Sequence, residues 1–117
     1  MNYEFPKSEK KVARQVIETG LQRDYEKSIQ EMNTIIQAWK MKKLSNQEAY
    51  LKLYKTVMRN DKYIGRMYND LRGSTYMLTI QGLLANKVLT DTDLQDFSEK
   101  TQQDILKIRQ SLGLNEE

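Results

Sequence analysis

The chain has 117 residues, 30% charged and 38% hydrophobic, with one Pro, five Gly and neither Cys nor His. That is enough for one domain with a modest core, and it excludes a disulfide framework, thiolate or imidazole metal sites and every His-dependent base or nucleophile pair. Nineteen basic against sixteen acidic residues leave a net charge of +3, which permits a nucleic-acid or acidic protein partner without demanding one.

The first element is a very long amphipathic helix over 9–43. Apolar residues recur as Val12, Val16/Ile17, Leu21, Tyr25, Ile29, Met32, Ile35/Ile36 and Trp39, the three-and-four spacing of one buried stripe. Ser8 stands where a cap belongs, just after Pro6, and Glu9, Arg14, Glu18, Arg23, Lys27 and Glu31 make the solvated face. Such a helix spans roughly 52 Å at ~1.5 Å per residue. A compact chain of this length is only about 35 Å across. Gly20 is the one weak point. The spacing therefore predicts a continuous helix whose excess apolar surface is covered by a second copy, so a homodimer is expected.

A second helix covers 46–72. It opens on a capping box, Ser45 with Glu48 three residues on, and its stripe runs Leu51, Tyr54, Val57/Met58, Ile64, Met67/Tyr68 and Leu71. Asn60-Asp61 either lies within it or divides it in two. Gly73-Ser74 ends it and starts a third helix over 75–88, the most apolar of all and expected deepest in the core. Thr90 and Asp93 repeat the capping logic for a last helix over 91–112, which stops at Gly113. The fold class is all-α, a long N-terminal helix plus three or four further helices in one domain. No run approaches the ~18 apolar residues of a membrane span and the N-terminus has no signal-peptide pattern, so the cytoplasm is the expected location.

Catalytic chemistry is not expected. No paired carboxylates or lysine in an apolar setting stand out, no Gly-rich phosphate loop exists, and Asp91-Thr92-Asp93 is best read as a cap with first-turn carboxylates. No cofactor, metal or membrane partner is implied. Tyr50, Tyr54, Tyr63, Tyr68 and Tyr76 crowd one third of the chain, as tyrosines do at protein interfaces. Arg59, Lys62, Tyr63 and Arg66 lie three or four residues apart, suited to an acidic surface or to bases.

The order of elements and several short matches resemble the fluorescence recovery protein family of cyanobacteria. The likeness runs from about Gln15 onward: Gln22-Arg23-Asp24-Tyr25, Asn46-x-Glu48, Tyr68-x-Asp70 with Arg72-x-Ser74, the turn ending in Val88-Leu89, and Lys107-Ile108. It implies a non-enzymatic homodimer that binds a carotenoid-carrying photoprotective protein and speeds its return to the resting form. The tryptophan, acidic residue and arginine of that family's second helix align here with Leu51, Lys55 and Asp61, so two charges are reversed.

The residues expected at the dimer interface are Trp39, Leu51, Tyr54 and Val57, and those expected to meet a protein client are Arg59, Lys62, Tyr63, Arg72 and Lys107. Trp39→Ala should cost ~3–5 kcal/mol if Trp39 is core, and shift the monomer–dimer balance if it is interfacial. The alternative function is a small basic helical dimer that binds nucleic acid through Lys40, Lys42, Lys43, Arg59, Arg66 and Arg72, with steep salt dependence.

Overall fold

The computed structural model describes residues 3–113. Four helices follow one another: α1 (Lys10–Lys40), α2 (Asn46–Tyr68), α3 (Tyr76–Ala85) and α4 (Glu99–Ser111), with single 3-10 turns at Lys7–Glu9 and Asp91–Leu94. There is no strand among the described residues. α1 runs unbroken through Gly20, and α2 runs unbroken through Asn60-Asp61. The chain forms two compact units: a terminal unit of Met1–Leu21 with Asp70–Glu117, and a hairpin unit of Gln22–Asn69.

Helix ends follow local hydrogen bonding, and several differ from the sequence expectation. Ser8 does not cap α1; it lies inside the 3-10 turn, where Glu9 N–H donates to Pro6 O at 2.8 Å. α1 ends at Lys40 because Lys42 takes a left-handed conformation (φ 62°), and Lys43 and Lys42 N–H donate back to the Ala38 and Trp39 carbonyls. α3 ends three residues before Val88 by the same device, with Lys87 left-handed. α2 stops at Tyr68, short of the expected 72, and left-handed Asp70 turns the chain. Thr75, not Ser74, precedes α3, its hydroxyl bound to the Asp70 and Arg72 backbone. The Ser45–Glu48 capping box is present. The Thr90–Asp93 box also forms, but it opens only one 3-10 turn; α4 begins eight residues later, capped by Ser98.

In the terminal unit α3 is the central element. Tyr76, Met77, Ile80, Leu83 and Leu84 of α3 are buried in this unit, as are Val16 and Ile17 of α1's first turns, Phe97 and Ile105. The segment before α1 belongs to this core: Phe5 is buried and stacks on Phe97 with ring centroids 5.3 Å apart. Glu9, expected on the solvated face, is buried as well. Its Oε1 accepts from the Ser98 N–H at 2.5 Å and its Oε2 from the Thr101 hydroxyl, so a carboxylate of the first turn caps the start of α4. Burial acts to raise its pKa, but the hydrogen bonds from Thr101 and Ser98 outweigh that and hold it below the ordinary glutamate value.

Tyr3 donates to Asp104 at 2.9 Å, which lowers the Asp104 pKa, while burial and that carboxylate push Tyr3 up to about 12. The signs set a pH window. The depressed Glu9 and Asp104 give stability that is complete above ordinary carboxylate pKa values and lost as pH falls through the folded ones. The raised Tyr3 gives stability that is complete below its unfolded pKa near ~10 and lost as pH rises towards about 12. Glu9→Gln should flatten the acid limb of a stability–pH curve from urea melts and leave the alkaline limb alone. An unchanged acid limb would remove Glu9 from this role.

Candidate protein-interaction surface

The hairpin unit is two antiparallel helices joined by residues 41–45, and its seam is polar. Tyr68 donates to Asp24 at 2.6 Å, and Asn60 donates to Ser28 at 2.8 Å and to Glu31 at 3.3 Å. Arg59 pairs with Glu31 at 2.5 Å. The fully buried side chains of the hairpin are small or polar, Asp24, Ser28, Ala49 and Thr56, and Ile35, Leu53, Ile64 and Met67 are half-buried around them. The hydrogen bonds fix the register of the two helices.

The apolar stripe of α1 therefore splits. Val16 and Ile17 are buried in the terminal unit, whereas Tyr25, Ile29 and Trp39, expected on the same buried stripe, are 46%, 61% and 42% exposed in the hairpin. A helix has 3.6 residues per turn, so Asp24, Ser28 and Glu31 at the seam put Tyr25, Ile29, Met32, Ile36 and Trp39 a quarter-turn to one side. On α2 the same count from Ala49, Thr56 and Asn60 puts Tyr50, Tyr54 and Val57 on one flank, while Met58 faces away from the seam. In an antiparallel pair these two flanks fall on the same side. Ile36 and Trp39 accordingly line one apolar groove of about 300 Å³ with Ala49, Tyr50 and Leu53. Tyr50, Leu51, Tyr54, Val57 and Met58 are all exposed. Tyr25, Ile29 and Trp39 of α1 with Tyr50, Tyr54 and Val57 of α2 put six exposed apolar side chains on this side of the unit, the kind of clustering that marks an interaction site, with Leu51 and Met58 on the back of α2.

Trp39 is not core in the single chain. Its indole N–H donates to Asn46 Oδ1 at 2.7 Å, tying the last turn of α1 to the first residue of α2, with one flank of the ring open. Tyr54 and Val57 are exposed on the same side of the hairpin, whereas Leu51, also exposed, faces away from the seam between Tyr54 and Lys55.

The other flank of α2 is basic. Lys52, Lys55, Arg59, Lys62 and Arg66 repeat every three or four residues and are all exposed. Arg59 and Lys62 thus share a face, with Tyr63 half-buried beside the seam. Arg72 and Lys107 belong to the terminal unit, Arg72 paired with Asp70 at 2.7 Å and Lys107 exposed on α4. Lys40, Lys42 and Lys43 sit at the hairpin's turn, all exposed.

Sequence reasoning found the apolar residues but not the polar seam that turns them outward. Asn60 was legible only as a helix breaker, and its bonds to Ser28 and Glu31 join residues 32 and 29 positions apart. Among the described residues, no group of three or more Asp, Glu, His or Cys side chains is placed to hold a metal ion, and no helix is long and apolar enough to cross a membrane. No protein-family model, no curated protein and no solved structure matches this chain.

Proposed function

We propose that this protein is a non-enzymatic interaction module of the cytoplasm that works as a homodimer, its hairpin units pairing through their apolar faces into a four-helix arrangement. The observation that carries this reading is the burial pattern of the hairpin: its fully buried side chains are small or polar, while Tyr25, Ile29, Trp39, Tyr50, Tyr54 and Val57 are exposed. A second copy supplies the same face, and self-complementary apolar patches are the usual basis of two-fold dimers. Trp39, Leu51, Tyr54 and Val57 are the proposed contacts.

The resemblance to the fluorescence recovery protein family extends the reading to a client, a carotenoid-carrying photoprotective protein whose resting form the module favours. The physical basis is differential affinity for two client states, which needs neither cofactor nor catalytic side chain. Arg59, Lys62, Tyr63, Arg72 and Lys107 are the proposed client contacts. Light scattering across a concentration series tests the dimer. A mass of twice the chain, falling only on dilution, supports it, and a single-chain mass at all concentrations overturns it.

A further inference from the structure

The hairpin has a second face, opposite the apolar one, that the dimer reading leaves unused. From Lys52 to Arg66 five cations line one flank of α2 over 14 residues, about 21 Å at ~1.5 Å per residue. The charge is local: the hairpin unit, Gln22–Asn69, holds ten basic and five acidic residues, net +5, in a chain whose net charge is only +3. The acidic residues neutralise the stripe only at Arg59 and Lys52. Glu31 meets Arg59 at the seam, and Glu48, held by the Ser45 cap, lies one turn from Lys52. Among the described residues no carboxylate lies within ion-pair distance of Lys55, Lys62 or Arg66.

We infer that the Lys52–Lys55–Arg59–Lys62–Arg66 face docks an acidic amphipathic helix of a protein partner. This rests on the reading of the chain as a protein-interaction module and adds the partner's chemistry. Two features favour a helix over nucleic acid. Successive cations step about 5 Å along the axis, the step of carboxylates placed three and four apart on a partner helix, so each cation meets one carboxylate in turn. Binding of unpaired bases needs exposed aromatic platforms beside the cations, but Tyr50 and Tyr54 lie on the other flank of α2, and Tyr63, on the cations' side, is half-buried beside the seam. Charges on such a rim set encounter rate and partner choice.

The test is fluorescence anisotropy with the full chain and a labelled, stapled helical peptide bearing glutamates at three-and-four spacing on one face. The comparisons are a peptide of the same composition with glutamates spread around the helix, a DNA duplex and a single-stranded RNA. The one-faced peptide should bind at least tenfold tighter than the scattered one, with affinity falling as salt rises. Lys55→Glu with Lys62→Glu should weaken that binding at least tenfold while circular dichroism and solution mass stay unchanged. Equal binding of the two peptides, no binding of either, or tighter binding of DNA or RNA overturns the inference. A dimer that ignores the peptide refutes the acidic-helix partner and leaves the dimer standing; a monomer that binds it refutes the dimer instead.

Discussion

Ile29→Glu combined with Val57→Glu is expected to leave a folded protein of single-chain mass at concentrations where the proposed dimer of the parent protein would form. Both side chains are exposed in the single chain, at 61% and 46%, so neither substitution opens a cavity or removes a seam hydrogen bond. In a dimer built on the apolar face, each copy brings two carboxylates into contact with apolar groups, and an unpaired charge is costly to desolvate. A rise in the dissociation constant of at least a hundredfold, about 2.7 kcal/mol, follows. Gln30→Glu adds a carboxylate to the polar flank of the same helix and should leave the mass alone. Sedimentation or light scattering decides it. If the double variant keeps the parent's mass, the apolar face is not where two copies meet. Trp39→Ala is a milder probe of that face: with the ring 42% exposed and its N–H on Asn46, it should weaken association and cost the single chain less than the ~3–5 kcal/mol of a core tryptophan.

The largest loss of stability should come from α3. Ile80 is fully enclosed in the terminal unit, and Ile80→Ala should cost about 2–5 kcal/mol through lost burial and the cavity left behind. Against the ~5–15 kcal/mol of a typical domain, that is enough to populate unfolded chains at physiological temperature. Leu78, two residues away on the same helix, is 57% exposed, and Leu78→Ala should change stability by no more than about 0.5 kcal/mol. Urea melts of the two variants separate these outcomes. Similar midpoints would mean that α3 is not packed as described.

The contrast between Ile80 and Leu78 shows where sequence reasoning stops. The third helix is apolar nearly all round, which says that it is central but not which side is covered. Its depth was legible and its orientation was not. The same holds for the candidate surface. Arg59 and Lys62 could be placed on one face by counting residues, and Tyr54 and Val57 on another. Nothing in the count says which face of α2 turns towards α1, because that depends on pairings such as Tyr68 with Asp24, 44 residues apart.

By itself the sequence determined the all-α class, the uninterrupted first helix, the Ser45–Glu48 start of α2 and the stop at Gly113. Each rests on periodicity or on groups within a few residues of one another, which local chemistry dictates. Only the tertiary structure decided that Lys42 and Lys87 adopt left-handed turns, since nothing local marks a lysine for that conformation. It also decided that Glu9 leaves the solvated face to cap α4, 89 residues on, and that the apolar stripe of α1 is covered in one unit and partly exposed in the other. Both depend on long-range partners. A buried carboxylate is tolerated only where donors meet it, and a stripe is buried only where apolar neighbours reach it, so a helix long enough to serve two units takes its inside from each in turn.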